Sequence, residues 1–168
     1  MENRVKQKKF VSLVLYLHNA QNEVVPFFQK VLPVFRDNFT NFEIVCVNDA
    51  CTDGTIGILK EYLEENHCSE MVNIIHMSFF HGLESAMNAG RDLAIGDFIY
   101  EFDTAYVDYP SELIMEVYDK LLEGNDIVSA GTRDHVRMTS GFFYFCYNKT
   151  SRGRGKIGPE TFRIVSRR

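Results

Sequence analysis

A regular alternation of short apolar segments and longer helical patterns constrains the fold of this chain more than any other feature. Apolar segments of strand length occupy residues 10–17, 42–47, 71–77, 97–102 and 127–130. Between them, apolar side chains recur with the helical period over residues 22–35, 52–63, 82–94 and 110–124. Buried strands that alternate with amphipathic helices predict an α/β fold with a mainly parallel sheet and helices on both faces.

Proline, glycine and capping residues refine the predicted helix boundaries. Pro26 fits the first turn of the first helix, whereas Pro33 is expected to kink or end that helix. Thr52 or Asp53 is a suitable cap for the second helix, and Gly124 is a suitable stop for the fourth.

Residues 132–168 differ from the rest of the chain in pattern and charge. Residues 1–131 carry 9 Lys and Arg against 21 Asp and Glu, whereas residues 132–168 carry 9 against 2. The segment contains an aromatic run at 141–147, a glycine-rich basic stretch at 151–158, and a strand or helix start at 162–165. Its charge fits either a solvated tail or a surface for phosphate groups. Nucleic acid is not an expected partner, because the acidic body would repel it.

Polar side chains follow several of the predicted strands at the point where each strand ends. The positions are His18, Asn19, Asn48, Asp49, Asp103 and Asp108, and Gly82 follows the third strand directly before a helix. The carboxyl ends of parallel strands meet at one edge of the sheet, and ligands bind there in open α/β sheets. Structural readings remain open, because Asp53 suits a helix cap and Asp49 and Asp108 suit turns. Asp103, which directly follows an apolar strand, is the best candidate for a functional role.

Six sequence motifs occur in the order and spacing of a known enzyme family. They are LHNA at 17–20, VNDACTDGT at 47–55, FFHGLESAMNAG at 79–90, GDFIYEFDTAYVDYPSE at 96–112, GTR at 131–133 and TFRIVSRR at 161–168. Together they make the chain resemble the family 2 glycosyltransferases of GT-A fold, similar to the dolichyl- and polyprenyl-phosphate sugar synthases. The resemblance implies a Rossmann-like nucleotide-sugar-binding domain over residues 1–131. It also implies an acceptor-side segment over 132–168, which we expect to be incomplete.

The resemblance also implies roles for individual residues. Asp103 and Asp108 are the expected catalytic residues and ligands of Mg²⁺ or Mn²⁺ on the donor diphosphate. The expected contacts to a nucleoside-diphosphate sugar are His18, Asn19, Asn48, Asp49, Gly82, Arg133 and Arg163. The implied reaction is transfer of the sugar, with inversion, to a lipid phosphate such as polyprenyl phosphate or to a glycan acceptor.

The chain departs from the family pattern at several of these positions. Ala105 replaces the second aspartate of the D-x-D motif, and a methyl group cannot bind a metal ion. The other departures are Ala20, Asn48, Leu83 and Thr161. A cation could still be held by Asp103 with Asp108 or Glu101, or the basic segment could neutralise the diphosphate instead. The alternative is a degenerate domain that binds a nucleotide or a partner without catalysis.

Other features bear on location and on alternative folds. We expect a cytoplasmic protein involved in polysaccharide biosynthesis, with peripheral attachment to the inner membrane face as an open alternative. The four cysteines form no C-x-x-C pair, which favours free thiols over a zinc or redox site. A receiver-like domain is disfavoured, because residues 127–131 lack the lysine that it needs. The oligomeric state is left open.

Overall fold

The computed structural model describes residues 6–131 and 161–167. Six strands occur in this part of the chain: β1 (Val11–Leu17), β2 (Phe42–Asn48), β3 (Val72–His76), β4 (Phe98–Phe102), β5 (Ile127–Ala130) and β6 (Phe162–Ser166). The α-helices in the same part are α1 (Val24–Asn38), α2 (Thr55–Glu65), α3 (Leu83–Leu93) and α4 (Glu112–Leu122), and a 3₁₀ turn covers Ser69–Met71. The predicted alternation of strands and helices is confirmed.

The strands form one sheet in the order β3-β2-β1-β4-β6-β5. β1 pairs in parallel with β2 and β4, and β2 pairs in parallel with β3. β6 is antiparallel to both of its neighbours, β4 and β5. The mainly parallel sheet is therefore as predicted, and the segment around Phe162 is a strand rather than a helix start.

The larger core lies on the sheet face that α1, α2 and α4 cover. It is rich in aromatic rings, and Phe35 of α1 meets Tyr100 of β4 with ring centroids 5.2 Å apart. Phe102 of β4 stacks at 4.8 Å on Phe162 of β6. Such pairs add to the stabilisation from burial, because offset and edge-on ring geometries are favourable. They join β6 to the sheet through side chains as well as through backbone pairing.

α3 covers the opposite face, where a smaller core surrounds Val14, Val45 and Val47. The helix lies unusually close to the sheet at Gly90. A Cβ atom at this position would lie 2.5 Å from Val14 Cγ1 and 2.7 Å from Val47 Cγ2. Glycine is therefore required for α3 to approach β1 and β2 this closely.

The helix ends agree with the local predictions except at Pro33 and at the start of α2, where Gly54 is the N-cap residue instead of Thr52 or Asp53. Pro26 lies in the first turn of α1, and Gly124, with a φ of 106°, follows the end of α4. α1 nevertheless continues through Pro33 to Asn38. The buried side chains on both sides of Pro33, Leu32 and Phe35, hold the last turn of α1 against the core.

Residues 132–160, which include the aromatic run at 141–147, lie outside the described residues, so the predicted boundary at residue 131 stays a prediction. Within the described ranges, none of the helices has the length and apolar character needed to cross a membrane.

Candidate functional site

The predicted site residues lie at the carboxyl edge of three adjacent strands. His18 and Asn19 follow β1, Asp49 follows β2, and Asp103 follows β4. β1 lies between β2 and β4 in the sheet, so the ends of these strands are neighbours. The sheet order therefore brings the residues that sequence analysis selected to one edge.

Asp49 is fully buried and holds the loop between β3 and α3. Its Oδ1 accepts the backbone N–H of His81 at 2.8 Å, and its Oδ2 accepts that of Gly82 at 2.9 Å. The Tyr16 hydroxyl also donates to Oδ2 at 3.1 Å. Burial, together with the nearby Asp49 carboxylate, raises the pKa of Tyr16 to about 12. Asp49 thus positions the start of α3, where Gly82 has a φ of 82°.

The two asparagine side chains at the edge hold the loop between β2 and α2. Asn19 Oδ1 accepts the backbone N–H of Thr52 at 2.8 Å, and Asn48 Oδ1 accepts that of Cys51 at 2.9 Å. Asn48 Nδ2 lies 2.9 Å from Nδ1 of His76. The positions predicted to contact a donor are therefore also the ones that shape the loops around it.

Asp53 stabilises the first turn of α2, although Gly54 rather than Asp53 is the N-cap residue. Its Oδ1 accepts the N–H of Thr55 at 3.0 Å, and Oδ2 accepts the N–H of Gln21 at 3.2 Å. Desolvation opposes ionisation of Asp53, but the hydrogen bonds from Thr55 and Gln21 outweigh it and lower the pKa. Asp53 is accordingly a structural residue that ties the β1–α1 loop to α2.

Two exposed phenylalanines at this edge were missed by the sequence analysis. Phe79 and Phe80 are 63% and 57% exposed. The Phe80 ring lies 4.6 Å from the His18 ring, and Phe79 stacks on His81 at 3.9 Å. The signal was present in the sequence, since an apolar pair directly precedes the His-Gly at the start of α3.

The end of β4 contains one carboxylate and one buried methyl group. Asp103 is half-buried, Asp108 is exposed, and Ala105 is 2% exposed in the larger core. No cluster of three or more His, Cys, Asp or Glu side chains suited to a metal ion occurs within residues 6–131 and 161–167. A cavity of about 310 Å³ beside Ala105 is lined by the start of α1 and by Tyr106 and Val107.

Glu101 lies two residues before Asp103 and contacts two arginines. Its Oε1 accepts the Nε–H of Arg91 at 2.5 Å, and its Oε2 accepts the Nε–H of Arg163 at 2.5 Å. Glu101 is therefore engaged through both oxygens by basic residues. Arg163, a predicted donor contact, lies beside it on β6, and Arg133 lies outside the described residues.

A larger cavity, of about 670 Å³, lies between α1 and α4. Its lining includes Lys30, Pro33, Asp37 and Met115, and it shares no residue with the carboxyl edge. The described cysteines, Cys46, Cys51 and Cys68, are free thiols, as predicted. The side chains that the sequence analysis selected thus do not line the larger cavity.

Solved structures with the same architecture define the class of fold. A mannosyltransferase from Pyrobaculum calidifontis, in complex with GDP-mannose and Mn²⁺, superposes with a TM-score of 0.73 at 16% identity, over 96% of this chain and 45% of that one. Glucosyl-3-phosphoglycerate synthase from Mycobacterium tuberculosis, in complex with Mn²⁺, UDP and phosphoglyceric acid, superposes with a TM-score of 0.72 at 14% identity. The match covers 95% of this chain and 56% of that one. The fold is the GT-A fold of glycosyltransferases, as predicted.

Sequence comparison defines the family. The profile of glycosyl transferase family 2 matches residues 12–165, and the chain belongs to that family. It is 31% identical over 166 residues to an uncharacterised glycosyltransferase of Synechocystis, covering 94% of this chain and 50% of the relative. It is also 31% identical to a prophage bactoprenol glucosyl transferase homologue of Escherichia coli, covering 94% and 52%. The chain thus spans about half the length of these relatives.

Proposed function

We propose that the carboxyl edge of the sheet binds a nucleoside-diphosphate sugar and that the protein transfers the sugar to an acceptor. The observation that supports this most is the meeting of His18, Asn19, Asn48, Asp49 and Asp103 at the ends of β2, β1 and β4. Asparagine amides can donate to and accept from a base edge. Asp49 contributes by fixing the backbone of His81 and Gly82. Gly82, without a side chain, lets a ligand approach that backbone closely.

A divalent cation is the proposed cofactor, and the side chains at the end of β4 fit it in part. Asp103 offers a carboxylate, whereas Ala105 offers no ligand. Mg²⁺ binds through one or two carboxylates together with phosphate oxygens and waters, so Asp103 would hold it jointly with the donor diphosphate. Bound there, the cation would neutralise charge on the departing diphosphate. Asp108 is the second proposed ligand, and Arg133 and Arg163 are the proposed contacts to phosphate.

The proposed acceptor is a polyprenyl phosphate at the cytoplasmic face of a membrane. The named relatives support this, since one is a bactoprenol glucosyl transferase homologue and another is an undecaprenyl-phosphate transferase of Proteus mirabilis. In the proposed step an acceptor phosphate oxygen forms a bond to the anomeric carbon. The bond from that carbon to the donor diphosphate breaks, and the diphosphate leaves with the electron pair. The configuration inverts, and no general base is needed because the acceptor is already an anion.

A second candidate function is nucleotide binding without transfer. The burial of Ala105 favours it, because the side chain that replaces the second metal ligand of the family belongs to the core. Metal affinity would then depend on Asp103 and the diphosphate alone. The two functions differ in whether the bound donor reacts.

Calorimetric titration of UDP, GDP and their sugars, with and without Mn²⁺, tests the donor site. We expect metal-dependent micromolar binding of one of the two nucleotides, and loss of its metal dependence in Asp103→Ala. Asp92→Ala is the matched control, because Asp92 is an exposed carboxylate near the end of α3. Absence of binding to every nucleotide under both conditions would refute the proposed donor site.

Product formation separates transfer from binding alone. The chain is incubated with the sugar nucleotide that it binds, with Mn²⁺ and with a short polyprenyl phosphate, and released nucleoside diphosphate is measured. Acceptor-dependent release supports transfer. Binding without release, also in a chain extended to the length of the relatives, supports the second candidate.

A further inference from the structure

A buried carboxylate, Glu101, joins two arginines from different elements. Glu101 is on β4 and 1% exposed, Arg91 is near the end of α3, and Arg163 is on β6. Each arginine donates its Nε–H to a different oxygen of Glu101, at 2.5 Å in both cases. The three side chains therefore form one cluster on the sheet face that α3 covers in part.

The cluster is built from several independent features of the fold. Arg163 is the direct cross-strand partner of Glu101 in the antiparallel β4–β6 ladder. Arg91 reaches Glu101 from above the sheet because the neighbouring Gly90 lets α3 lie against Val14 and Val47. Asp103 follows β4 two residues after Glu101, so the two Cα atoms lie within about 7 Å of each other. The arginines are thus near the end of β4 where the donor diphosphate is proposed to bind.

Stabilisation of the core does not by itself explain why a buried carboxylate and two arginines meet here. A buried carboxylate loses its hydration, and a pair of apolar residues often stabilises a core as well as an ion pair does. The side chains of Arg91 and Arg163 are also 38% and 32% exposed, so part of each faces solvent while Glu101 is sealed beneath them. Guanidinium groups held in a fixed orientation are well suited to phosphate, because their donors form a rigid fork.

We propose that Glu101 is a positioning residue that orients Arg91 and Arg163 to bind a phosphate group beside Asp103. The inference rests on the proposed function, since the phosphate belongs either to the sugar nucleotide or to the lipid acceptor. Glu101 itself does not touch the ligand. It fixes the Nε side of both guanidinium groups and thereby sets the direction of the remaining donors.

The experiment compares affinities for ligands with and without phosphate. Dissociation constants are measured with Mn²⁺ for UDP or GDP, whichever the chain binds, for its nucleoside, and for farnesyl phosphate as an acceptor-like probe. The variants are Glu101→Gln, Arg163→Lys and Glu43→Gln. Glu43 is the matched control, because its Oε1 accepts from Ser12 Oγ and from the Ile95 N–H at the opposite edge of the sheet. Arg163→Lys keeps the charge but removes the Nε donor, so it also serves if Glu101→Gln does not fold.

We expect Glu101→Gln to weaken the phosphate ligand about ten-fold or more, as loss of an oriented charge-assisted hydrogen bond implies. Nucleoside affinity is expected to stay within about two-fold in every variant. If only the affinity for the nucleotide falls, Arg91 and Arg163 bind the phosphate of the donor. If only the affinity for farnesyl phosphate falls, they bind the phosphate of the acceptor.

Three results would overturn the inference. Unchanged phosphate affinity in Glu101→Gln or, if that variant does not fold, in Arg163→Lys shows that the cluster is only structural. Equal weakening in Glu43→Gln shows that the effect is a general loss of stability. No binding of any nucleotide or of farnesyl phosphate by the unmodified chain refutes this inference and the proposed function together, whereas the first two results leave the proposed function intact.

Discussion

Replacing Asp49 with asparagine tests whether this buried carboxylate holds the edge of the site in place. Asparagine has nearly the same shape but only one acceptor oxygen, while the carboxylate accepts from His81, Gly82 and Tyr16. The asparagine oxygen would serve the two donors at Oδ2, and its NH₂ group would face the N–H of His81. One charge-assisted hydrogen bond is then lost and one buried donor is left unsatisfied. We expect a loss of about 2–4 kcal/mol in the free energy of unfolding.

The assay is urea unfolding of the unmodified chain and of Asp49→Asn, with thermal unfolding as a second measure. The expected loss corresponds to about 5–15 °C in Tm for a chain of this size. Native-state hydrogen exchange adds a local readout, because the amides of His81 and Gly82 should exchange faster in the variant. Tyr16→Phe is the reference variant, since it removes one of the three donors to Asp49 and should lower the free energy of unfolding by about 1 kcal/mol.

Two results would refute this reasoning. A loss for Asp49→Asn no larger than that for Tyr16→Phe would mean that the carboxylate does not restrain the β3–α3 loop. A large loss of stability with unchanged exchange at His81 and Gly82 would place the effect elsewhere in the molecule. Either result would remove the structural basis for a pre-formed edge.

Three further predictions follow from the packing and the pKa shifts. Gly90→Ala should destabilise the chain by about 1–3 kcal/mol in urea unfolding, because the new Cβ would lie 2.5 Å from Val14 Cγ1. Tyr118→Phe should stabilise it by about 1 kcal/mol, since the Tyr118 hydroxyl is buried and finds no hydrogen-bond partner among the described residues. The folded-state pKa of Tyr16 is raised to about 12. The hydroxyl should therefore contribute fully to the free energy of unfolding below pH 10, and this contribution should be lost as the pH rises through 12.

Each of these predictions has a matched control. Gly57→Ala in α2 should be stabilising, because a Cβ there meets no atom within 4 Å. Tyr100→Phe should destabilise, as the Tyr100 hydroxyl donates to the Ile114 carbonyl at 2.7 Å. The stability difference between the unmodified chain and Tyr16→Phe should shrink between pH 10 and 12. Equal effects of the two glycine changes, a destabilising Tyr118→Phe, or a pH-independent Tyr16 difference would contradict the respective prediction.

Much of the fold could be predicted because its signals are local. The strand from Ile127 to Ala130 was predicted at its observed bounds, and the four strands before it differ from prediction by one residue at one or both ends. Periodic apolar residues report burial directly, which is why these elements were recognisable. The position of β6 between β4 and β5 was not predicted, because a five-residue strand does not specify its neighbours in the sheet.

The sequence was sufficient to select candidate residues of the site, but it did not predict the contacts that those residues make. Asp49 was expected to touch a nucleotide, which stays a prediction, while the structure adds its hydrogen bonds to backbone amides of His81 and Gly82. Those partners are invisible in a residue pattern, since any residue can supply an N–H. That Glu101 shares a face with Asp103 stays a prediction, because Asp103 lies just beyond β4, and the arginine partners of Glu101 come from α3 and β6. Only the three-dimensional structure brings such distant segments together.

α3 is anchored at both ends by carboxylates that have no access to solvent. Asp49 accepts the two amides that precede the helix, and Glu101 accepts Arg91 near its last turn. Between them, Gly90 fixes the distance of the helix from β1 and β2. A ligand that binds at this edge therefore meets a loop backbone whose position is already set, and it does not have to order that loop. Such pre-organisation can offset part of the affinity that is lost because Ala105 cannot coordinate a metal ion. Binding of the sugar nucleotide with a single metal-binding carboxylate is therefore physically reasonable.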